Sequence, residues 1–190
     1  MRAFIAIELP KEIKDTLAEL QEQLKSSGAD VKWVAPENIH LTLKFLGEID
    51  DKQSAAIAVI LQETGKNNAA FLIRLASAGV FPKADFPRVI WAGIDSGEEE
   101  SHKLAAELEQ KSAAIGIPRE KRAFSSHITI GRVRSLQNKD KLIQGLNNLA
   151  GYFEAEKPQF PVRKITLFKS TLTPKGPLYE IQKETSLKAA

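Results

Sequence analysis

The sequence predicts an α+β protein made of two related lobes. Three observations carry that prediction. β-rich segments alternate with segments whose apolar residues recur at helical spacing. The alternation runs through the chain twice, in loosely the same order. A short pattern, His40-Leu41-Thr42-Leu43, returns as His127-Ile128-Thr129-Ile130, 87 positions later. No low-complexity linker divides the two runs, so residues 1–190 are read as a single domain of two pseudo-symmetric lobes. Each lobe is expected to hold an antiparallel sheet, two helices and one copy of the motif (40–43 or 127–130). A cleft between such lobes is a natural place for a ligand.

The elements follow in order. Residues 3–8, rich in Ile and Phe, predict a strand, and Pro10 suits a helix start. Over 11–27, Ile13, Leu17, Leu20 and Leu24 fall at spacings of four, three and four, one helical face, with Gly28 placed as its C-terminal cap. Val31–Val34 predicts a short strand, and Pro36-Glu37-Asn38 a turn. Ile39–Leu46 is a β-rich run ended by Gly47. Asp50 or Asp51 can cap a helix reaching about Thr64, with Ile57, Ile60 and Leu61 on one face. Phe71–Leu75 predicts a strand. Gly79, Pro82 and Pro87 mark 79–88 as a loop, and Val89–Ile94 is a strong strand. Leu104, Leu108 and Ile115 mark a helix stopping at Gly116. A strand follows over Phe124–Val133. Leu142, Leu146 and Leu149 mark a fourth helix, capped by Gly151. Val162–Lys169 and Leu178–Glu184 predict closing strands around a turn at Thr173–Pro177.

Composition bounds the chemistry. The chain has no cysteine, which excludes disulfides, thiolate nucleophiles and Cys-ligated zinc, and fits a reducing compartment. The apolar run Ala3–Ile7 is short and broken by Glu8, so no signal peptide and no membrane span is expected, and a cytoplasmic setting is. A net charge of +3 tolerates an anionic partner without identifying one.

The duplicated motif is the informative feature. Side chains i and i+2 of a strand share a face, about 7 Å apart. His40 with Thr42, and His127 with Thr129, would each point one way. Leu41, Leu43, Ile128 and Ile130 would point into the cores. Two such strands facing one cleft gather two imidazoles and two hydroxyls. Displacement at phosphorus needs a base for the nucleophile and an acid for the leaving oxygen, and imidazole does both near neutral pH. The hydroxyls can donate to the non-bridging oxygens as charge develops there. No metal and no cofactor is required. A two-histidine metal site is disfavoured, because no Asp, Glu or Cys lies at strand-face spacing from either histidine. The third histidine, His102, lies in a Glu-rich helix and reads as a surface residue.

Three further residues are candidates for substrate binding. Lys44 continues the His40–Thr42 face, where it could meet a phosphate or simply be solvated. By strict alternation Phe45 and Arg132 fall on the opposite face. Phe45 then reads as core, with a base-stacking platform as the alternative. Arg132 follows Gly131, which could mark a bulge turning it toward the cleft. Trp33 and Trp91 read as packing residues.

The chain resembles the two-histidine phosphoesterases, specifically the RNA 2′,3′-cyclic phosphodiesterases also called 2′–5′ RNA ligases. The resemblance spans nearly the whole chain. It rests on the paired motifs and on Arg2–Ile7, Trp33–Gly47, Val89–Trp91, Phe124–Arg132 and Ser170–Tyr179. It implies a bilobal fold with a pseudo-twofold axis through the cleft, and hydrolysis of RNA 2′,3′-cyclic phosphate ends to 2′-phosphomonoesters. It also implies His40 as proton donor, His127 as proton acceptor, and Thr42 and Thr129 as phosphate-binding; spacing alone assigns neither histidine its role. The implied partner is RNA with a 2′,3′-cyclic phosphate or a 2′–5′ linkage, tRNA halves among the candidates, and a monomer is expected. One departure is Ser126, where relatives often carry proline. Two other functions stay open at this stage: a cyclic phosphodiesterase for small nucleotides or ADP-ribose cyclic phosphate, and a non-catalytic RNA-binding module.

Overall fold

In the computed structural model, which describes residues 1–174 and 176–189, nine strands and four helices build two antiparallel sheets. In chain order these are β1 (Arg2–Glu8), α1 (Lys11–Lys25), β2 (Val31–Trp33), a 3₁₀ turn (Pro36–Asn38), β3 (His40–Glu48), α2 (Asp51–Asn67), β4 (Phe71–Lys83) and β5 (Phe86–Ser96). There follow α3 (Glu98–Ala114), β6 (His127–Val133), α4 (Lys139–Glu156), β7 (Gln159–Val162), β8 (Lys164–Thr173) and β9 (Gly176–Ser186). The four-stranded sheet has the order β3-β1-β8-β9, and the five-stranded sheet the order β2-β6-β5-β4-β7. The α+β class and the two-sheet plan expected from the sequence are both present.

The helices form for the reasons their sequences give. Ile13, Leu17, Leu20 and Leu24 are all buried, and Gly28 takes a left-handed φ of 65° just beyond α1. Asp50 caps α2: its side chain accepts from the Gln53 amide, while the Gln53 side chain accepts from the Asp50 amide. Three glutamates open α3, where the positive end of the helix dipole favours them. Helices α2 and α3 pack together against the four-stranded sheet, α3 on β3 and α2 on β8 and β9. Helices α1 and α4 pack together, with α4 on β4 of the five-stranded sheet.

Each sheet mixes strands from both halves of the chain. β1 and β3 come from the first half, and their sheet is completed by the β8–β9 hairpin from the end of the second. β2 and β4 in turn join β5, β6 and β7. Two strands alone are marginal in water, and the exchange gives each sheet enough strands to cover an apolar face.

Several boundaries differ from the sequence reading. Residues 79–88 are no loop: β4 and β5 form one long hairpin through Gly79, Pro82 and Pro87, turning only at 84–85. β6 starts at His127 rather than Phe124. α4 runs through Gly151 to Glu156, and Val162 ends β7 rather than opening β8. In the turn at 173–177, Lys175 lies outside the described residues.

Candidate active site

Both motifs open a strand, β3 in one sheet and β6 in the other, and those two strands pack directly against each other. Alternation holds for four residues in each. Leu41, Leu43, Ile128 and Ile130 are buried in the core, while His40, Thr42, His127 and Thr129 stay half-buried on the other face.

Alternation then fails, at the same place in both strands. On β3, Ala6 pairs with Thr42 and Ile5 with Lys44, which leaves Leu43 as an extra residue. On β6, Trp91 pairs with Thr129 and Ile90 with Gly131, which leaves Ile130 extra. Each is a β-bulge, and beyond a bulge every side chain changes face. The consequences overturn two expectations. Lys44 does not continue the His40–Thr42 face: it turns inward, with its side chain 1% exposed. There it ion-pairs with Glu109 of α3 at 3.1 Å and Glu120 at 3.6 Å, and donates to the Pro118 carbonyl at 3.1 Å. Phe45, expected in the core, lies instead on the histidine face and is 57% exposed. Arg132 is exposed on the His127–Thr129 face, turned there by the bulge at Ile130 that the neighbouring glycine had suggested.

His40 is held in an aromatic enclosure. Its ring stacks on Phe4 at 4.8 Å and meets Tyr179 edge-on at 5.5 Å, with Phe168 at 6.4 Å. Nδ1 lies 2.8 Å from the Asn38 carbonyl, which can only accept, so Nδ1 carries the proton. In the neutral ring Nε2 is then bare and accepts from the Thr42 hydroxyl at 2.9 Å. Burial lowers the pKa of His40 from 6.5 to about 4; the Asn38 carbonyl opposes this, and the nearby Lys14 ammonium adds to it.

His127 repeats half of this arrangement. Its Nδ1–H donates to the Ser125 carbonyl at 2.8 Å, again two residues back, so Nε2 is the basic nitrogen of its neutral ring. Phe81 meets it edge-on at 5.1 Å. Next to it the Trp91 indole lies flat across the sheet. A Cβ at Gly79 would sit 2.6 Å from that ring, and one at Gly93 would sit 2.9 Å away, so both glycines make room for it. Ser126, the buried residue between Ser125 and His127, has no hydrogen-bond partner for its hydroxyl among the described residues.

The two sides meet electrostatically as well as by contact. Burial raises the Tyr179 phenol above its ordinary value, while the positive charges of Arg132 and Arg2 pull the other way. The charge of Arg132, on the His127 strand, is therefore felt at a ring packed on His40. Sequence reasoning found the two histidines and two threonines but missed Phe4, Tyr179 and Phe81, whose approach depends on strand pairing. The carbonyls of Asn38 and Ser125 were findable, since they share the motif's offset of 87. His102 lies on α3 with its side chain 46% exposed, 4.0 Å from Glu98 and edge-on to Phe124 at 5.0 Å.

The family model described as LigT like Phosphoesterase matches residues 7–91 and 94–179, two stretches whose starts are again 87 positions apart. An RNA 2′,3′-cyclic phosphodiesterase of Methanocaldococcus jannaschii is 37% identical over 184 residues, 97% of this chain and 99% of its own length. One of Aquifex aeolicus is 37% identical over 188 residues, 97% of this chain and 96% of its own. Among solved structures, a protein of Thermus thermophilus matches with a TM-score of 0.79 at 28% identity, over 100% of this chain and 99% of that one. Escherichia coli LigT complexed with 3′-AMP matches with a TM-score of 0.77 at 25% identity, over 98% and 97%.

Proposed function

The chain belongs to the LigT-like phosphoesterase family, and from that premise we propose that it hydrolyses RNA 2′,3′-cyclic phosphate ends to 2′-phosphomonoesters. The observation that carries this is the matched pair of histidines on adjoining strands, each fixed by the carbonyl two residues before it, with Nε2 as the working nitrogen. The relatives that share more than a third of their residues with this chain over nearly its full length are named for that activity.

The two histidines take the roles that the family resemblance implies, and the geometry leaves Nε2 of each to fill them. His127 Nε2 accepts a proton from water as its oxygen attacks phosphorus, opposite the 3′ oxygen. His40, protonated at Nε2, gives its proton to O3′ as the P–O3′ bond breaks. The products are a 2′-phosphomonoester and a free 3′-hydroxyl. Thr42 and Thr129 donate to the non-bridging oxygens. His40 must gain a proton before it can give one, and in the free protein its ring is neutral at pH 7. An incoming phosphate anion favours the imidazolium. Protonation of Nε2 also ends its acceptance from Thr42, which frees that hydroxyl for the phosphate. With a 5′-hydroxyl in place of water, the same steps form a 2′–5′ linkage.

In this proposal all 190 residues act as one catalytic unit, one motif from each lobe, and the protein works as a cytoplasmic monomer on RNA such as tRNA halves. Among the described residues no helix is long and apolar enough to cross a membrane. Phosphorus NMR of an RNA ending in a 2′,3′-cyclic phosphate tests the chemistry. The expected product is the 2′-phosphate, with His40→Ala and His127→Ala each slowing it by about 10²–10⁴-fold. A 3′-phosphate product, or activity lost in EDTA and restored by a divalent ion, would reject it.

A further inference from the structure

The open face of the four-stranded sheet carries an apolar row that phosphate chemistry does not use. Phe45 on β3 pairs with Phe4 on β1, Phe4 with Phe168 on β8, and Phe168 with Ile181 on β9. Directly paired residues share a face, so the four side chains form one line across all four strands. Its middle members, Phe4 and Phe168, are also the wall of the catalytic enclosure, because the His40 ring stacks on both. Phe4 and Phe168 are buried beneath their neighbours, but Phe45 and Ile181 at the ends are 57% and 51% exposed. Leu172, four residues beyond Phe168 and on the same face, is 68% exposed.

The site so far described explains none of that exposure. A cyclic phosphate and its ribose would occupy the space around His40 and Thr42. The row runs on past them for three strand spacings, about 14 Å. Its position is fixed relative to the histidine, since Asn38 Nδ2, in the residue whose carbonyl holds His40, donates to the Pro177 carbonyl of β9 at 3.0 Å. The flank is cationic: Arg2 and Arg132 both act on Tyr179, which packs against Phe4.

We infer that this face is a platform for the two or three nucleotides that precede the cyclic end, with their bases laid along Phe45, Tyr179, Ile181 and Leu172. Four-stranded sheets with exposed rings stack two or three bases of single-stranded RNA in this way, and stacking tolerates any sequence. A second copy of the chain, or a protein ligand, would fit the apolar residues but not the continuity with the phosphate site or its flanking guanidiniums. The inference rests on the proposed activity for its substrate, and it makes the enzyme selective for RNA chains over mononucleotides.

Ile181→Glu and Leu172→Glu test it, because both residues are exposed and lie outside the enclosure of His40. The probes are a tetranucleotide ending in a 2′,3′-cyclic phosphate, the corresponding mononucleoside cyclic phosphate, and a labelled tetranucleotide ending in a 2′-phosphate for equilibrium binding. Each variant should lower kcat/KM and affinity for the tetranucleotide by about tenfold and leave the mononucleotide within about twofold. Ile181→Tyr should tighten tetranucleotide binding severalfold. Equal losses on both substrates, no loss on either, or a parent that binds both alike would overturn the platform. So would a parent that sediments as a dimer and is split by Ile181→Glu with RNA affinity unchanged. If the parent turns over neither substrate, the proposed activity fails, and the binding comparison alone still decides the platform.

Discussion

The neutral, enclosed state of His40 makes a quantitative demand on how stability depends on pH. Folding lowers the proton affinity of this ring from its ordinary 6.5 to about 4. The unfolded chain therefore binds the proton more readily, and stability must fall as pH drops from 6.5 toward 4, then level off below that. At 1.36 kcal/mol for each tenfold change in proton affinity, the loss is about 3 kcal/mol. Carboxylates titrate in the same range, so a difference between two proteins isolates the effect. His40→Asn can keep a donor toward the Asn38 carbonyl and has no proton to gain. Urea unfolding of parent and variant at pH 7, 5.5 and 4 should show the parent losing about 3 kcal/mol more than the variant over that span. A stability difference that stays constant from pH 7 to pH 4 would refute the reasoning, as would one that moves in the parent's favour on acidification.

Three other outcomes follow from the same geometry. Phosphate binding should draw a proton onto His40, so calorimetric titration with inorganic phosphate at pH 6 in buffers of differing ionisation enthalpy should report uptake of up to one proton, and His40→Asn should abolish it. Lys44→Met should destabilise the fold by about 2–4 kcal/mol in denaturant, because Glu109 and the Pro118 carbonyl lose their buried partner. The same variant should leave the salt dependence of RNA binding unchanged; a slope reduced by about one charge would return Lys44 to the phosphate face. Gly79→Ala should force the Trp91 indole off the sheet, which tryptophan fluorescence would register as a shifted emission maximum together with about 1–3 kcal/mol of lost stability.

Local signals in the sequence held in most places where the cause was local, Gly151 inside α4 being an exception. The helical spacing of Ile13, Leu17, Leu20 and Leu24, the cap at Asp50, and the His-x-Thr alternation all act within a few residues. Most errors came where a distant strand decides. The bulges at Leu43 and Ile130 exist only relative to Ala6–Ile5 and Trp91–Ile90, so period-two reasoning carried Lys44 and Phe45 to the wrong faces. Gly131 betrayed one bulge; Lys44, occupying the same place in the first motif, gave no such hint. Gly79 looked like a loop residue because its purpose, clearance for an indole on the neighbouring strand, is invisible along the chain. The exchange of strands between halves was hidden for the same reason, since alternation counts elements but does not pair them.

That exchange has a consequence for synthesis. β1 begins at Arg2, while β8 and β9, which complete its sheet, end at Ser186, and the Lys188 amide then ties back to the carbonyls of Gly65 and Asn68 at 2.9 Å. On the ribosome, the first histidine waits on a two-stranded ribbon whose unpaired edge invites other chains. Its enclosure needs Phe168 and Tyr179, which are translated long after it. Closure of the enclosure thus waits for β8 and β9, and a product terminated before them carries the first motif without its walls.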